Sequence, residues 1–448
     1  MVELMRRLNR TDALAITLGA AIGVGVFRNT GLVLRGTGGF AGATVLWLVI
    51  GLLCLGGASL YADLSGRVPE TGGPYAYVRV AFGGRAAFVY GWLNAGVAIP
   101  ARQASTVAVS GELLSRWIPV SPRALAIALL LVLAVLHLGG VRAGAIAQRI
   151  FTTGKLATIV IVVGLSLSLG WRGATGDASF EPVSFAAAVG AVWYTYLGWQ
   201  DVVLLAEELH EPRRDLPFVL FGTVVLTMVL YMAIHVAVYL GLGGSAEAYG
   251  ALPALDVARH ALGDTGESLL RGLLLSSMIG VSAVGVLLRP RLSMALARDG
   301  LGPKPLTRVS RVGTPYGGLV FHVAIALALV STGSYVKLLE LISFAMGVMG
   351  LFEIASYFVV RRKCPELPTS RFHPWGPLAF LLMAGALVIL GAKDHPMGVL
   401  TSFGIVGAIA IVYALTRPRL LAPEATAQLP ELPGARARPA APRPDVKI

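Results

Sequence analysis

The chain has 448 residues, 56% of them hydrophobic and only 14% charged, with a mean hydropathy of +0.74. Soluble domains carry about 25% charged residues, so this composition excludes an ordinary soluble enzyme or binding module and indicates an all-α integral membrane protein. A net charge of +13 raises the question of a nucleic-acid partner, but its distribution along the chain argues against one.

Windows of about 20 apolar residues predict twelve transmembrane helices, near 13–34, 40–64, 86–113, 124–139, 147–170, 184–206, 217–241, 268–292, 316–332, 335–360, 375–391 and 397–415. Arg6, Arg7 and Arg10 ahead of the first run imitate a secretory signal. No small-residue cleavage site follows and the run is long enough to span, so the expectation is a retained first helix. With the N-terminus placed inside, 27 Lys/Arg fall to inner segments and nine to outer ones, while Arg102 lies within a span. This is the positive-inside pattern and predicts that both termini are cytoplasmic. Charge is thereby accounted for without nucleic acid.

The first span contains Leu18-Gly-Ala-Ala-Ile-Gly-Val-Gly-Val-Phe27. Glycine weakens a helix by about 1 kcal/mol relative to alanine, and broken backbone is tolerated at membrane depth only where it lines a cavity. A break here frees N–H groups on Gly25, Val26 and Phe27 at the start of a second half-helix, and C=O groups on Ala21 and Ile22 at the end of the first, with Gly23 and Val24 between. The N–H groups suit an anion such as a carboxylate, and the C=O groups suit an ammonium. An α-amino acid zwitterion carries both. Close helix packing through small residues is the competing reading of the glycines.

In the third span, Arg102 of Ile99-Pro-Ala-Arg-Gln103 lies deeper than snorkelling explains. Intramembrane ions are functional hypotheses by default, and three readings stand: recognition of an acidic substrate side chain, pairing with a membrane carboxylate such as Glu353, or a position nearer an interface. Lys155, in Thr152-Thr-Gly-Lys-Leu-Ala157 at the inner start of the fifth span, reads by composition as a basic residue snorkelling to the interface.

The sixth span carries the second break, Tyr194-Thr-Tyr-Leu-Gly-Trp-Gln200, where Gly198 interrupts the apolar run. Carbonyls of Thr195 and Tyr196 would join those of the first break. Tyr194, Tyr196 and Trp199 surround the break rather than a membrane edge and are expected to form a pocket wall, with Tyr194 as the gate over the substrate; Trp193 reads as packing. Glu207, Glu208, Arg213, Arg214, Asp215, Arg298 and Asp299 suit an ion-pair network at a cytoplasmic gate, or a solvated loop face. His235 and Glu353 are intramembrane polar groups without an assigned role. Residues 1–416 form one transmembrane domain. From Arg417 to Ile448 the chain has seven prolines and few large apolar groups, a composition that predicts a disordered Pro/Arg-rich cytoplasmic tail.

Spans 1 and 6 share one plan, and five spans separate their starts. Two five-helix halves of opposite membrane topology give that spacing, and a matched pair of breaks points to a transporter's binding site. Cys54 and Cys364 lie in a span and an inner loop, so no disulfide framework is expected. The sequence contains no phosphate-binding loop with Lys-Ser/Thr, no HExxH, no paired Cys motif and no nucleophile elbow. No catalytic residue, cofactor or metal is therefore expected, and transport energy has to come from gradients or exchange.

Several motifs in order carry a family resemblance: the Gly-Val-Gly-Val-Phe27 run, Ala62-Asp-Leu-Ser-Gly-Arg-Val-Pro-Glu-Thr-Gly-Gly-Pro-Tyr-Ala-Tyr77, Tyr196-Leu-Gly-Trp199 with Glu207-Glu208 and Pro212-Arg-Arg-Asp-Leu-Pro217, then Arg291-Leu-Ser-Met-Ala-Leu-Ala-Arg-Asp-Gly300 with Thr314-Pro315. Over roughly residues 10 to 415 the chain resembles the amino acid, polyamine and organocation superfamily, and within it the L-type amino acid transporters and their bacterial relatives. The resemblance implies a LeuT-like fold of five plus five inverted helices with two extra at the C-terminus, alternating access, and a substrate held at the unwound parts of spans 1 and 6. It also implies that Lys155 points between spans 1, 5 and 8, where sodium-coupled relatives hold their cation. A fixed ammonium there substitutes for sodium's charge, and a buried lysine is a candidate for proton exchange. Ser276, Ser277 or Ser282 would line that site from span 8.

These readings together predict a secondary transporter of amino acids in a prokaryotic-type plasma membrane, working by proton symport or by exchange for a counter-substrate. Val24 and the aromatic wall suggest a neutral, branched or aromatic substrate. A polyamine or cationic substrate is the same-class alternative, and a nutrient sensor or channel on the same scaffold is the alternative of another class. Eukaryotic L-type relatives bind a single-pass glycoprotein through a cysteine between spans 3 and 4; the loop from Arg116 to Arg123 has none, so no disulfide-linked heavy subunit is expected.

Overall fold

A computed structural model describes residues 8–416 apart from 71, 139–140, 171–184, 244–251, 311–312, 333–334, 366–371 and 395. Arg6, Arg7 and the tail from 417 to 448 lie outside the described residues. Among the described residues the architecture is helical, and the one extended pairing is an isolated parallel bridge between Leu8 and Leu209.

Asn9 starts α1 (Arg10–Ala21): its side-chain oxygen accepts from the Asp12 N–H at 2.8 Å, satisfying one of the donors a helix start leaves open. The helix stops where Ile22 turns extended, at ψ 94°, and α2 (Gly25–Thr37) sets off at 47° to it. There follow α3 (Phe40–Arg67), the short α4 (Pro74–Phe82), α5 (Gly84–Leu93) and α6 (Ile99–Leu114), then α7 (Pro122–Leu138) and α8 (Val141–Ser168). A π-helical turn, Asn94–Ala98, joins α5 to α6 just before Pro100. Proline has no N–H to give to a regular α ladder, and the wider turn absorbs the mismatch.

The second broken element is α9 (Phe185–Tyr196), which ends at Leu197-Gly198 and continues as a 3-10 run, Trp199–Glu208. Ten residues is long for a 3-10 helix, whose runs rarely exceed four. Its far end is tied to the chain entering α1: the Leu8 N–H donates to the Glu208 carbonyl at 3.0 Å and the His210 N–H to the Leu8 carbonyl at 3.1 Å. The remaining helices are α10 (Pro212–Leu242), α11 (Pro253–Leu288, kinked at Gly263), α12 (Pro290–Arg298), α13 (Tyr316–Thr332), α14 (Tyr335–Lys363), α15 (Trp375–Asp394) and α16 (Pro396–Thr416).

Where the structure describes them, the apolar segments predicted from the sequence lie mainly on helix, interrupted at 22–24 and 197–198. By length and composition, four helical stretches among the described residues qualify as bilayer-crossing: Phe40–Arg67, Phe151–Ser168, Pro212–Leu242 and Pro253–Arg298. The bent α1–α2 pair makes a fifth, and shorter apolar helices accompany them. Large apolar side chains cover the outer faces, among them Val45, Leu48 and Leu52 on α3, Val132, Val135 and Leu136 on α7, and Val160 and Leu167 on α8. A soluble monomer rarely exposes contiguous apolar surface on this scale, whereas lipid is the solvent such faces match. Inside this shell, α2 packs on α9, α3 on α10, and α8 on α11, which brings the two broken elements together at the centre.

Candidate functional site

The two breaks touch. Gly198, at φ 125°, lies so close to α1 that a Cβ would sit 2.7 Å from the Ala20 carbonyl oxygen and 2.8 Å from the Ala21 Cα. Only glycine meets both the left-handed backbone and the contact. On the other side a Cβ on Gly25 would lie 2.5 Å from the Thr195 Oγ1. Thr195 is held in turn, donating to the Ala191 carbonyl at 2.7 Å and accepting from the Asn29 amide at 3.0 Å. Gly25 is already the first residue of α2, so its missing side chain serves close approach to α9; the break itself falls at Ile22 to Val24.

A cavity opens beside this crossing, lined by Ala21, Gly23, Val24 and Gly25 from the first break and by Tyr194, Thr195 and Leu197 from the second. From α6 come Arg102, Ser105 and Thr106, from α11 Met278 and Val281, and from the α11–α12 junction Arg289. The Tyr194 hydroxyl lies 3.1 Å from the Ser105 Oγ, which fixes its ring across the space. Of the other residues singled out in the two breaks, Ile22, Val26 and Phe27 are buried in packing outside the lining. Tyr196 is turned away, donating to the Trp47 carbonyl at 3.2 Å and packing on Trp47 and Tyr231. Trp199 lines a second cavity instead, and Trp193 joins it there.

Two expectations about the free backbone groups need correction. The Phe27 N–H is occupied, donating to the Val24 carbonyl at 3.0 Å, because α2 closes its first turn on that residue. The carbonyls of Ala21 and Thr195 are not bare either: the Tyr231 hydroxyl of α10 lies 2.8 Å from the first and 3.1 Å from the second. Each carbonyl has two lone pairs, so one on each remains after Tyr231 has pinned the pair together. Tyr231 carries no sequence signal, being one aromatic residue in an apolar run.

Arg102 is likewise corrected. Its partner is Asp201 on the 3-10 run, Nη1 to Oδ1 at 3.2 Å, and not Glu353. Glu353 on α14 accepts from the Tyr61 hydroxyl at 2.7 Å and the Tyr90 hydroxyl at 2.5 Å. Arg289 stands on the other side of Asp201, at 3.6 Å, and donates to the Gln103 side chain at 3.2 Å. The second cavity holds Asp201, Glu353, Tyr61, Tyr90 and Trp199, and Arg102 lines both cavities, so the Arg102–Asp201 pair forms the partition between them.

Lys155 is buried, and its ammonium donates to the Gly19 carbonyl of α1 while its stem packs near Gly280 of α11. No ion pair to it is found among the described residues. Ser277 and Ser282 are buried with their hydroxyls unpartnered, and Ser276 faces Gly154 of α8. His235 is 3.2 Å from the Thr44 hydroxyl and stacks on Phe40.

At the far end of the 3-10 run, Arg291 meets Glu208 at 2.6 Å, Arg298 meets Glu207 at 3.6 Å, and Arg79 meets both Glu70 and Asp299, the latter at 3.2 Å. Tyr75 of α4 donates to Asp299 at 2.7 Å; burial, and then that carboxylate, hold its phenol above the ordinary range and so keep it a donor. Arg214 stays outside this network, pairing on the surface with Glu211 at 3.4 Å.

Comparison with known proteins gives this geometry a context. The family model described as amino acid permease matches residues 8–416. The serine/threonine exchanger of Bacillus subtilis (strain 168) is 26% identical over 402 residues, covering 87% of this chain and 91% of that protein. The human large neutral amino acids transporter small subunit 2 is 26% identical over 417 residues, 88% of this chain and 77% of that one. The cystine/glutamate transporter of Pongo abelii is 25% identical over 383 residues, with 82% and 76% covered.

Proposed function

The chain belongs to the amino acid permease family and is a multi-pass membrane protein that moves amino acids rather than transforming them; from that premise we propose that it is a secondary active transporter whose substrate sits between the two breaks. The observation that carries this reading is the cavity lined by Gly23 to Gly25 from the first break and by Tyr194 and Thr195 from the second. The substrate's carboxylate meets the start of α2 at Gly25, where the helix dipole favours an anion. Its ammonium meets the remaining lone pairs of the Ala21 and Thr195 carbonyls, which the Tyr231 hydroxyl holds in register. Tyr194 closes over it.

The proposed topology is twelve crossings in two inverted five-helix halves with two helices outside the repeat, both termini cytoplasmic, in the plasma membrane. The charge asymmetry of the sequence supports the orientation, and the paired breaks support the repeat. Alternating access then consists of opening the cavity to one side at a time. The ion pairs around Glu207, Glu208, Arg291 and Arg298 hold the inner side closed when the site faces outward. Among the named relatives is an exchanger, which favours antiport; proton symport is the other route, and Lys155 is its candidate group because a lone buried ammonium bonded to α1 senses the state of the first break.

Purified protein in liposomes tests the reading. Saturable uptake accelerated by amino acid on the other side supports a carrier, and binding without flux defeats it in favour of a sensor. Lys155→Ala is expected to flatten the pH profile of uptake while the protein remains monodisperse, and an unchanged profile removes Lys155 from coupling.

A further inference from the structure

Among the described residues, the lining of the cavity includes two arginines and no carboxylate. Arg102 on α6 and Arg289 at the α11–α12 junction share one carboxylate, Asp201, at 3.2 and 3.6 Å. All three are deeply buried, at 8%, 3% and 7% exposure. Arg102 and Arg289 both line the cavity, whereas Asp201 lines only the neighbouring one. Glu353 forms no ion pair with either arginine among the described residues; its oxygens accept instead from the hydroxyls of Tyr61 and Tyr90. The Nε of Arg289 and the amide nitrogen of the adjacent Gln103 are buried without a hydrogen-bond partner. Two cations against one anion leave one positive charge facing the substrate space, and a buried charge is tolerated only when it is paired and hydrogen-bonded.

We propose that this transporter selects amino acids with a side-chain carboxylate, of the aspartate and glutamate class, with Arg102 and Arg289 as the residues that decide specificity. The proposal rests on the reading of the cavity as the amino acid site. With the backbone of the substrate at the Gly23–Gly25 break, its side chain runs toward the two guanidiniums and supplies the missing negative charge. Guanidinium forks match a carboxylate in two parallel bonds, and bonds to charged groups are stronger than neutral ones. Asp201 keeps the arginines paired while the site is empty. A lysine or polyamine substrate would bring a third cation to the same place, so the cavity disfavours it. Glutamine, equal to glutamate in size and without charge, is the discriminating comparison.

The experiment uses the full chain in liposomes preloaded with L-glutamate, L-glutamine or L-lysine, and reads uptake of each labelled amino acid. Wild-type protein is expected to favour glutamate over glutamine by at least about 10-fold, and Arg289→Gln to cut that ratio by about 10-fold or more. Thermal stabilisation in detergent by glutamate but not by glutamine is expected in parallel. Glutamine flux equal to or above glutamate flux in the wild type overturns the proposal and leaves the transporter reading standing. An Arg289→Gln variant that lowers both fluxes equally overturns the specificity role. Absence of flux for every amino acid overturns the underlying reading as well. Where the variant does not fold, the wild-type ratio decides.

Discussion

The two breaks solve one problem in different ways. In the first, α1 and α2 are both regular helices separated by three residues, Ile22 to Val24, and the backbone at the junction faces the cavity. In the second, α9 gives way to ten residues of 3-10 helix, and only Tyr194, Thr195 and Leu197 reach the cavity while Tyr196, Gly198 and Trp199 face other elements. The first break therefore offers backbone, and the second offers side chains and a surface on which the first rests. A glycine in each serves contact: Gly198 admits α1, and Gly25 admits Thr195. Helix ends inside a membrane need partners for their open groups; Tyr231 of α10 supplies one for the Ala21 and Thr195 carbonyls, while Asn29 of α2 ties the second half of the first break to Ala191 and Thr195 of α9.

This comparison is most easily broken at Gly198. A Gly198→Ala variant combines a left-handed backbone with overlap against the Ala20–Ala21 backbone, neither of which a rotamer change relieves. The expected result is loss of at least about 2 kcal/mol, read as a fall in the thermal unfolding midpoint in detergent and loss of uptake. A near-wild-type midpoint would mean that the breaks do not rest on each other.

Gly25→Ala is expected to cost less, about 1–3 kcal/mol, because its clash is with the side chain of Thr195. The double variant Gly25→Ala, Thr195→Ala should recover stability and part of the uptake, with a coupling of about 0.5–3 kcal/mol. Additive losses would show that the two positions act independently. The smallest effect is expected from Tyr231→Phe, which keeps the ring and removes the hydroxyl shared by the Ala21 and Thr195 carbonyls. One net hydrogen bond is worth about 1 kcal/mol, so KM should rise roughly 5-fold with folding little changed. No change in KM would separate Tyr231 from the substrate site.

Much of the scaffold was legible in the sequence. Where they are described, the predicted apolar segments lie mainly on helix, and both glycine-bearing stretches are places where helices break. Less of the site was legible. Arg102 stood out because an ion in an apolar run is costly, but its partner did not: Asp201 lies 99 residues away on an irregular turn. Arg289 hid at the end of a predicted span among other arginines. The free N–H predicted for Phe27 failed because hydrogen bonding inside a first turn depends on where the helix starts, which composition does not specify to one residue.

By itself, the sequence determined that this chain lives in a membrane, that it is helical, that two of its helices are interrupted, and that its charges favour one orientation. Those properties follow from composition and short-range pattern, because bilayer thickness and backbone hydrogen bonding act on each segment separately. The tertiary structure alone decided which glycine serves contact and which residues serve the turn, that Tyr231 joins the two breaks, and that two arginines share one aspartate beside the cavity. These depend on packing between segments far apart in sequence, where a displacement of a few ångströms separates an ion pair from two buried charges.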